Sequence, residues 1–144
     1  MKLRMKKLRE NAVLPERKTS GSAGYDLCAC LGSEFTIEPG DLVIIPTGLA
    51  VELEEGYSAM IFTRSGLGIK HGIHVSNGVG VIDSDYRGEI HVGLTNASKT
   101  PYKIVPGARI AQILLMRVFT PEFEEIEALS ETERGNGGFV ITGN

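Results

Sequence analysis

Residues 78–88 read Gly78-Val-Gly-Val-Ile-Asp83-Ser-Asp85-Tyr86-Arg87-Gly88, placing two carboxylates, a phenol and a guanidinium between an apolar run and a glycine. Asp83, Asp85 and Gly88 imitate positions 1, 3 and 6 of an EF-hand calcium loop. Position 5, however, is Arg87 and position 12 is Leu94, where oxygen ligands are required. An EF-hand is therefore excluded. The same residues also suit a polar hairpin tip.

A second chemical segment is Thr63-Arg64-Ser65-Gly66-Leu67-Gly68, which follows an apolar run. A nucleophile elbow needs glycine two places before the serine, and that place holds Thr63. Arginine beside serine and glycines fits an anion site better, because guanidinium, hydroxyl and bare N–H groups all meet phosphate oxygens. A capped turn is the plainer alternative. His71 and His74 have ligand-like spacing but no third partner nearby, which argues against zinc. Near the C-terminus, Arg134-Gly-Asn-Gly-Gly-Phe139 is followed by Val140, Ile141, Thr142 and Gly143. This is neither a P-loop, which needs lysine, nor a dinucleotide fingerprint. So much glycine reads as a mobile arm, one whose arginine and phenylalanine can close over a ligand or that is simply an unstructured end.

These segments must be carried by short strands. Ile90, Val92 and Leu94 alternate with His91, Gly93 and Thr95, the period of a strand with one buried face. Leu42–Ile45, Ser58–Phe62 and Ile110–Met116 are nearly continuous apolar runs, as expected of strands buried on both faces. Pro39-Gly40, Gly56, Gly66, Asn77-Gly78, Gly88 and Pro106-Gly107 interrupt them at the spacing of a sandwich or barrel. Phe35-Thr-Ile-Glu-Pro-Gly-Asp41 resembles Tyr102-Lys-Ile-Val-Pro-Gly-Ala108. Each reads as a strand, a type II Pro-Gly turn and a second strand, a repeated hairpin typical of a jelly roll. Thr120-Pro121-Glu122 looks like a helix start, and Phe123, Ile126 and Leu129 leave helix and strand equally open.

Composition bounds the function. The 144 residues suit one domain, and a 15.5 kDa chain folded alone should expose roughly 7,200 Å². Hydrophobic residues at 42% exclude intrinsic disorder, and no apolar run is long enough for a membrane span. Net charge is −3, although Lys2, Arg4, Lys6, Lys7 and Arg9 make the N-terminus basic. That block suits a nucleic-acid arm less well than a strand with Leu3, Met5 and Leu8 inward and a solvated basic face. No nucleic-acid or membrane partner is expected. Cys28 and Cys30 would point to opposite faces of a strand and are poorly placed to pair, which reads as a reduced, cytoplasmic protein.

Taken in order, five segments resemble the motifs of the trimeric dUTP pyrophosphatases, or dUTPases. They are Ala23-Gly-Tyr-Asp-Leu-Cys-Ala29, Arg64-Ser-Gly-Leu-Gly68, Asn77 with Gly80-Val-Ile-Asp-Ser-Asp-Tyr-Arg-Gly88, Gly107-Ala-Arg-Ile-Ala-Gln112, and Arg134-Gly-Asn-Gly-Gly-Phe139. Together they span about 120 residues. The resemblance implies an all-β, jelly-roll-like β-barrel of the β-clip kind over residues 1–133, with 134–144 as the arm. It implies a homotrimer with three shared sites, each built from the phosphate segments of one subunit, the uracil hairpin of a second and the arm of a third. It also implies strand for residues 123–127.

The implied activity is hydrolysis of dUTP to dUMP and pyrophosphate, which lowers dUTP and supplies dUMP for thymidylate synthesis. Asp83 matches the carboxylate that activates the water attacking the α-phosphate. Tyr86 matches the ring against which deoxyribose packs, and Asn77 the hairpin that reads the uracil edge. Arg64, Ser65, Gly66 and Gln112 match phosphate ligands, and Asp26 an acid near the metal and phosphate region. Arg134 and Phe139 match the arm's phosphate clamp and the ring over uracil. Mg²⁺ would ride mainly on the triphosphate and water, with no direct protein ligand assigned. Val140 and Ile141 depart from the family pattern, which continues with glycine and a small polar residue. The related dCTP deaminases and a non-catalytic nucleotide-binding module are the alternatives; the intact Asp83-Ser-Asp-Tyr86 segment favours the dUTPase form.

Overall fold

Short apolar stretches cut by glycine and proline become eleven strands and one helix in the computed structural model, which describes residues 2–138. All strand pairs are antiparallel. The largest sheet runs β2 (Tyr25–Cys28), β11 (Arg109–Arg117), β6 (Tyr57–Phe62) and β8 (Gly80–Ile82), in that order. A second sheet runs β4 (Leu42–Pro46), β9 (His91–Asn96) and β7 (Ile73–Val75). Two pairs complete the fold: β1 (Arg4–Lys7) with β5 (Leu49–Glu52), and β3 (Phe35–Ile37) with β10 (Tyr102–Ile104). The expected all-β class holds, with one addition: Ser65–His71 form a short helix, α1, that ends at Gly72.

The alternating strand behaves as its period demands: Ile90, Val92 and Leu94 are buried, with Leu27, Ile37, Ile45, Leu49, Ile73 and Ile104 around them. Asn96 is buried too, and its polar atoms are met. Its amide donates to the Ile37 and Thr100 carbonyls at 2.9 Å each, and its Oδ1 accepts from Ser98. Gly40 and Gly107 have φ of +86° and +78°, as a type II Pro-Gly turn requires.

Four expectations are corrected. The two Pro-Gly segments do not each form their own hairpin; instead β3 pairs with β10, Tyr102 opposite Ile37, while β4 pairs with β9. The strand β4 is not buried on both faces, since Leu42 and Ile44 are 64% and 67% exposed in the single chain. In the basic N-terminal strand only Met5 packs on the core, while Leu3 and Leu8 stay exposed. Residues 118–133 are neither helix nor strand, and Phe123 is 99% exposed. An apolar residue orders a backbone only when something covers it, and among the described residues Phe119, Phe123 and Leu129 stay almost fully exposed.

Candidate active site

The long strand β11 positions the site. Its register sets Gln112 opposite both Asp26 on β2 and Phe62 on β6. Directly opposed residues share a sheet face, so Asp26 and Gln112 project together beside the end of β6, where Thr63 and Arg64 begin the next segment. The register of β11 against β2 shifts between Arg109 and Ala111, an irregularity that turns Arg109 onto Asp26.

Arg64 is held from two directions. Its Nε donates to Asp26 Oδ1 at 2.8 Å, and its Nη1 donates to the Arg109 carbonyl at 3.0 Å. Arg109 Nη1 in turn donates to Asp26 Oδ2 at 3.1 Å. Asp26 thus serves two guanidiniums, one on each oxygen, and the three side chains together carry one net positive charge. Thr63 anchors the same corner. Its Oγ1 accepts the Val75 N–H at 2.8 Å, and its carbonyl accepts Gln112 Nε2 at 3.3 Å. Asp26, Arg64, Ser65, Gly66 and Gln112 line one cleft of about 670 Å³, with Lys18 and Gly78 at its edge. Burial, reinforced by the neighbouring Asp26 carboxylate, pushes the Cys28 thiol up from its ordinary pKa, with Arg109 and Arg64 opposing. That shift favours the neutral thiol over the nucleophilic thiolate.

Asp83, Tyr86 and Asn77 lie elsewhere. They line a second cleft of about 250 Å³, with Glu89 and His91. The Asp83 side chain is exposed and has no hydrogen-bond partner among the described residues, while its carbonyl accepts the Tyr86 N–H at 3.2 Å. Arg87 braces this turn through Nη1 to the Ser84 carbonyl at 2.6 Å and the Tyr86 carbonyl at 3.0 Å. Around Asn77 the strands part company: β7 pairs with β9 and β8 with β6, so the chain changes sheet at Ser76–Val79. Gly78 reaches the first cleft while Asn77 lines the second. Arg134 lies on an exposed turn, where its Nε donates to the Gly137 carbonyl at 3.1 Å, and it lines neither cleft. Phe139 lies outside the described residues. His71 packs against the Tyr102 ring at 5.0 Å.

Sequence reasoning left Arg109, Thr63 and Glu89 without roles. Arg109 lies within a segment singled out for chemistry, but strand parity could not place it, because the register shift breaks the alternation. Thr63 and Glu89 act through backbone partners far along the chain, a signal that spacing does not carry.

An antiparallel β fold with a basic cleft, hydroxyl and backbone groups at its mouth, and a separate exposed carboxylate defines a protein built to take an anion. The dUTPase family model matches residues 10–143. A deoxyuridine 5'-triphosphate nucleotidohydrolase from Desulfitobacterium hafniense is 53% identical over 131 residues, covering 90% of this chain and 87% of its own length. One from Burkholderia mallei is 46% identical over 146 residues and covers 99% of both chains. The structure of Staphylococcus bacteriophage 80alpha dUTPase with dUpNHpp superposes with a TM-score of 0.90, at 29% identity and 99% coverage of both chains. A mutant dUTPase from phage phi11 of S. aureus, for which coordination of a structural Mg(II) ion is described, superposes at 0.81 with 27% identity, covering 89% of this chain and 98% of its own. The chain belongs to the dUTPase family.

Proposed function

We propose that the chain hydrolyses dUTP in a site completed between subunits, with Asp83 of one subunit facing the phosphate cleft of another. Hydrolysis of dUTP to dUMP and pyrophosphate is the activity of the family to which it belongs. The observation that carries the shared site is the separation of chemistry within one chain: Asp26, Arg64, Ser65, Gly66 and Gln112 line one cleft, and Asn77, Asp83 and Tyr86 another. Surface area supports the same reading. The chain exposes 10,419 Å², against roughly 7,200 Å² for a compact monomer of its mass. The exposed Leu42, Ile44, Val81, Phe119 and Phe123 are the kind of surface that a homotrimer covers.

In this mechanism Arg64, already oriented by Asp26, grips the triphosphate with Ser65, the first N–H groups of α1, and Gln112. Asp83 takes a proton from water as the water oxygen bonds to the α-phosphorus. The bond from that phosphorus to the bridging oxygen breaks, and pyrophosphate leaves dUMP behind. Such a transfer needs alignment and charge neutralisation more than covalent help. Tyr86 walls off the sugar 2′ position, and Asn77 with its neighbouring backbone reads the uracil edge. Residues 1–133 form the barrel domain, and 134–144 are its arm, with Arg134 on phosphate and Phe139 over the base.

The donor set fits a Mg²⁺ ion that arrives on the substrate. Asp26 spends both oxygens on guanidiniums, and no group of three or more His, Cys, Asp or Glu among the described residues is placed to cage a metal. Bound to the triphosphate and water, the ion would neutralise charge on the leaving pyrophosphate. Product analysis tests the activity. Incubation with dUTP should yield dUMP and pyrophosphate, whereas ammonia from dCTP, or no product from either nucleotide, would refute it.

A further inference from the structure

The pose of the Tyr86 ring depends on residues that carry no chemistry of their own. Tyr86 Oη donates to the Glu89 carbonyl at 2.9 Å, which folds the phenol back over Gly88. A Cβ at Gly88 would collide with Tyr86 Oη and stand 2.6 Å from Cζ. Only a bare Cα leaves room for the ring there. The clash falls on the far end of an exposed side chain, so an added methyl would displace the ring and leave the fold intact.

The carbonyl that holds the phenol is itself fastened. Glu89 Oε1 accepts the Gly48 N–H at 2.8 Å, and Oε2 takes Arg9 Nη2 at 3.0 Å. His91 Nε2 lies 3.7 Å from Oε2, and His91 Nδ1 lies 3.1 Å from the Glu89 carbonyl. The next residue continues the attachment. The Ile90 N–H donates to the Leu49 carbonyl at 2.7 Å, and the Ile90 carbonyl accepts Thr47 Oγ1 at 2.7 Å. A side chain and a short ladder thus moor residues 89–90 to the start of β5. The free end of the mooring is the Tyr86 phenol.

We infer that Glu89, with Gly88 beneath the ring, is a specificity-determining positioning residue that sets the Tyr86 wall against the sugar. This rests on the reading of Tyr86 as the deoxyribose wall. A wall rejects a 2′-hydroxyl only if it cannot recede, and an aromatic ring on an exposed turn recedes unless its far end is tied. The Glu89 carboxylate ties it indirectly, by fixing the backbone that carries the accepting carbonyl. Arg9 gives part of the basic N-terminus a place in the same arrangement.

The experiment measures kcat and KM separately for dUTP and UTP in the full-length enzyme. Glu89→Ala, Tyr86→Phe and Gly88→Ala should each lower the dUTP-to-UTP ratio of kcat/KM by about tenfold or more, through gained activity on UTP. Glu89→Gln retains an acceptor for the Gly48 N–H and should keep the ratio within about twofold. Combining Tyr86→Phe with Glu89→Ala should cost no more selectivity than either alone, because both act through one hydrogen bond. Tyr86→Phe alters an exposed side chain, and the methyl added by Gly88→Ala at a half-buried bend meets only the far end of that ring, so both keep the test decisive if Glu89→Ala folds poorly. Tyr86→Ala is the control. If it relaxes sugar selection while the three variants leave the ratio unchanged, the role of Glu89 and Gly88 is refuted alone. If Tyr86→Ala leaves the ratio unchanged, the reading of Tyr86 falls, and this inference with it.

Discussion

Arg64 and Asp26, 38 residues apart in sequence, meet at 2.8 Å from guanidinium Nε to carboxylate oxygen, so the cationic group enters the cleft already oriented. Both side chains are largely shielded from solvent, which makes the pair stiffer and less screened than a surface ion pair. Arg109 on the other carboxylate oxygen keeps the cluster positive overall.

Replacing Asp26 by alanine sets two effects against each other. Arg64 loses its orienting partner, but the cluster gains positive charge that favours a polyanion. The orientation loss should dominate turnover, lowering kcat by about 10- to 100-fold. The charge gain should hold KM within a few-fold. Steady-state kinetics with dUTP checks this split, and a large rise in KM with unchanged kcat would contradict it.

Asp83→Asn should fold and bind nucleotide while losing about 10²–10⁴ in turnover, the usual worth of a positioned general base. The motivation is an exposed carboxylate with no partner among the described residues. Calorimetric binding of a non-hydrolysable dUTP analogue, beside single-turnover rates, separates chemistry from binding.

The protein should run as a trimer in solution, at three times 15.5 kDa by light scattering. A fully active monomer would break the shared-site reading, because neither cleft of one chain holds both the phosphate ligands and Asp83.

Deleting residues 134–144 should reduce dUTP hydrolysis by about 10²-fold or more if Arg134 and Phe139 have the phosphate and base roles proposed for them. Thermal stability should stay nearly unchanged, because the described part of this segment buries little and surface changes usually lie within about 0.5 kcal/mol. A companion Val140→Gly, Ile141→Ser variant, assayed for KM and kcat, tests whether β-branched residues alter closure of the arm.

Gly48→Ala should destabilise the fold by about 1–3 kcal/mol in urea unfolding. Gly48 has φ of +68°, and a Cβ there would lie 2.7 Å from Cys30 Sγ and 2.8 Å from Ala12 Cβ. Its N–H also anchors Glu89, so the same variant should loosen sugar selection.

Much of the molecule is legible along the chain. Period-two burial at Ile90, Val92 and Leu94, the Pro-Gly turns at Gly40 and Gly107, and the chemical types at residues 26, 64–66, 77–88 and 112 all follow from local pattern. Local pattern reports backbone preference and face parity over a few residues. It does not report which strand a strand will meet.

Tertiary structure decided the rest. It paired β3 with β10, which no turn between neighbours foretold. Through the register shift in β11 it turned Arg109 onto Asp26, 83 residues away. It joined Glu89 to Gly48 across 41 residues and thereby moored Tyr86. It put Asp83 in a different cleft from Arg64, and left 118–133 without helix or strand for want of a covering surface. Residue type and local spacing thus determine which groups are available for chemistry. Their relative placement arises only when distant strands bury a common core, because that burial sets the register that brings the groups together.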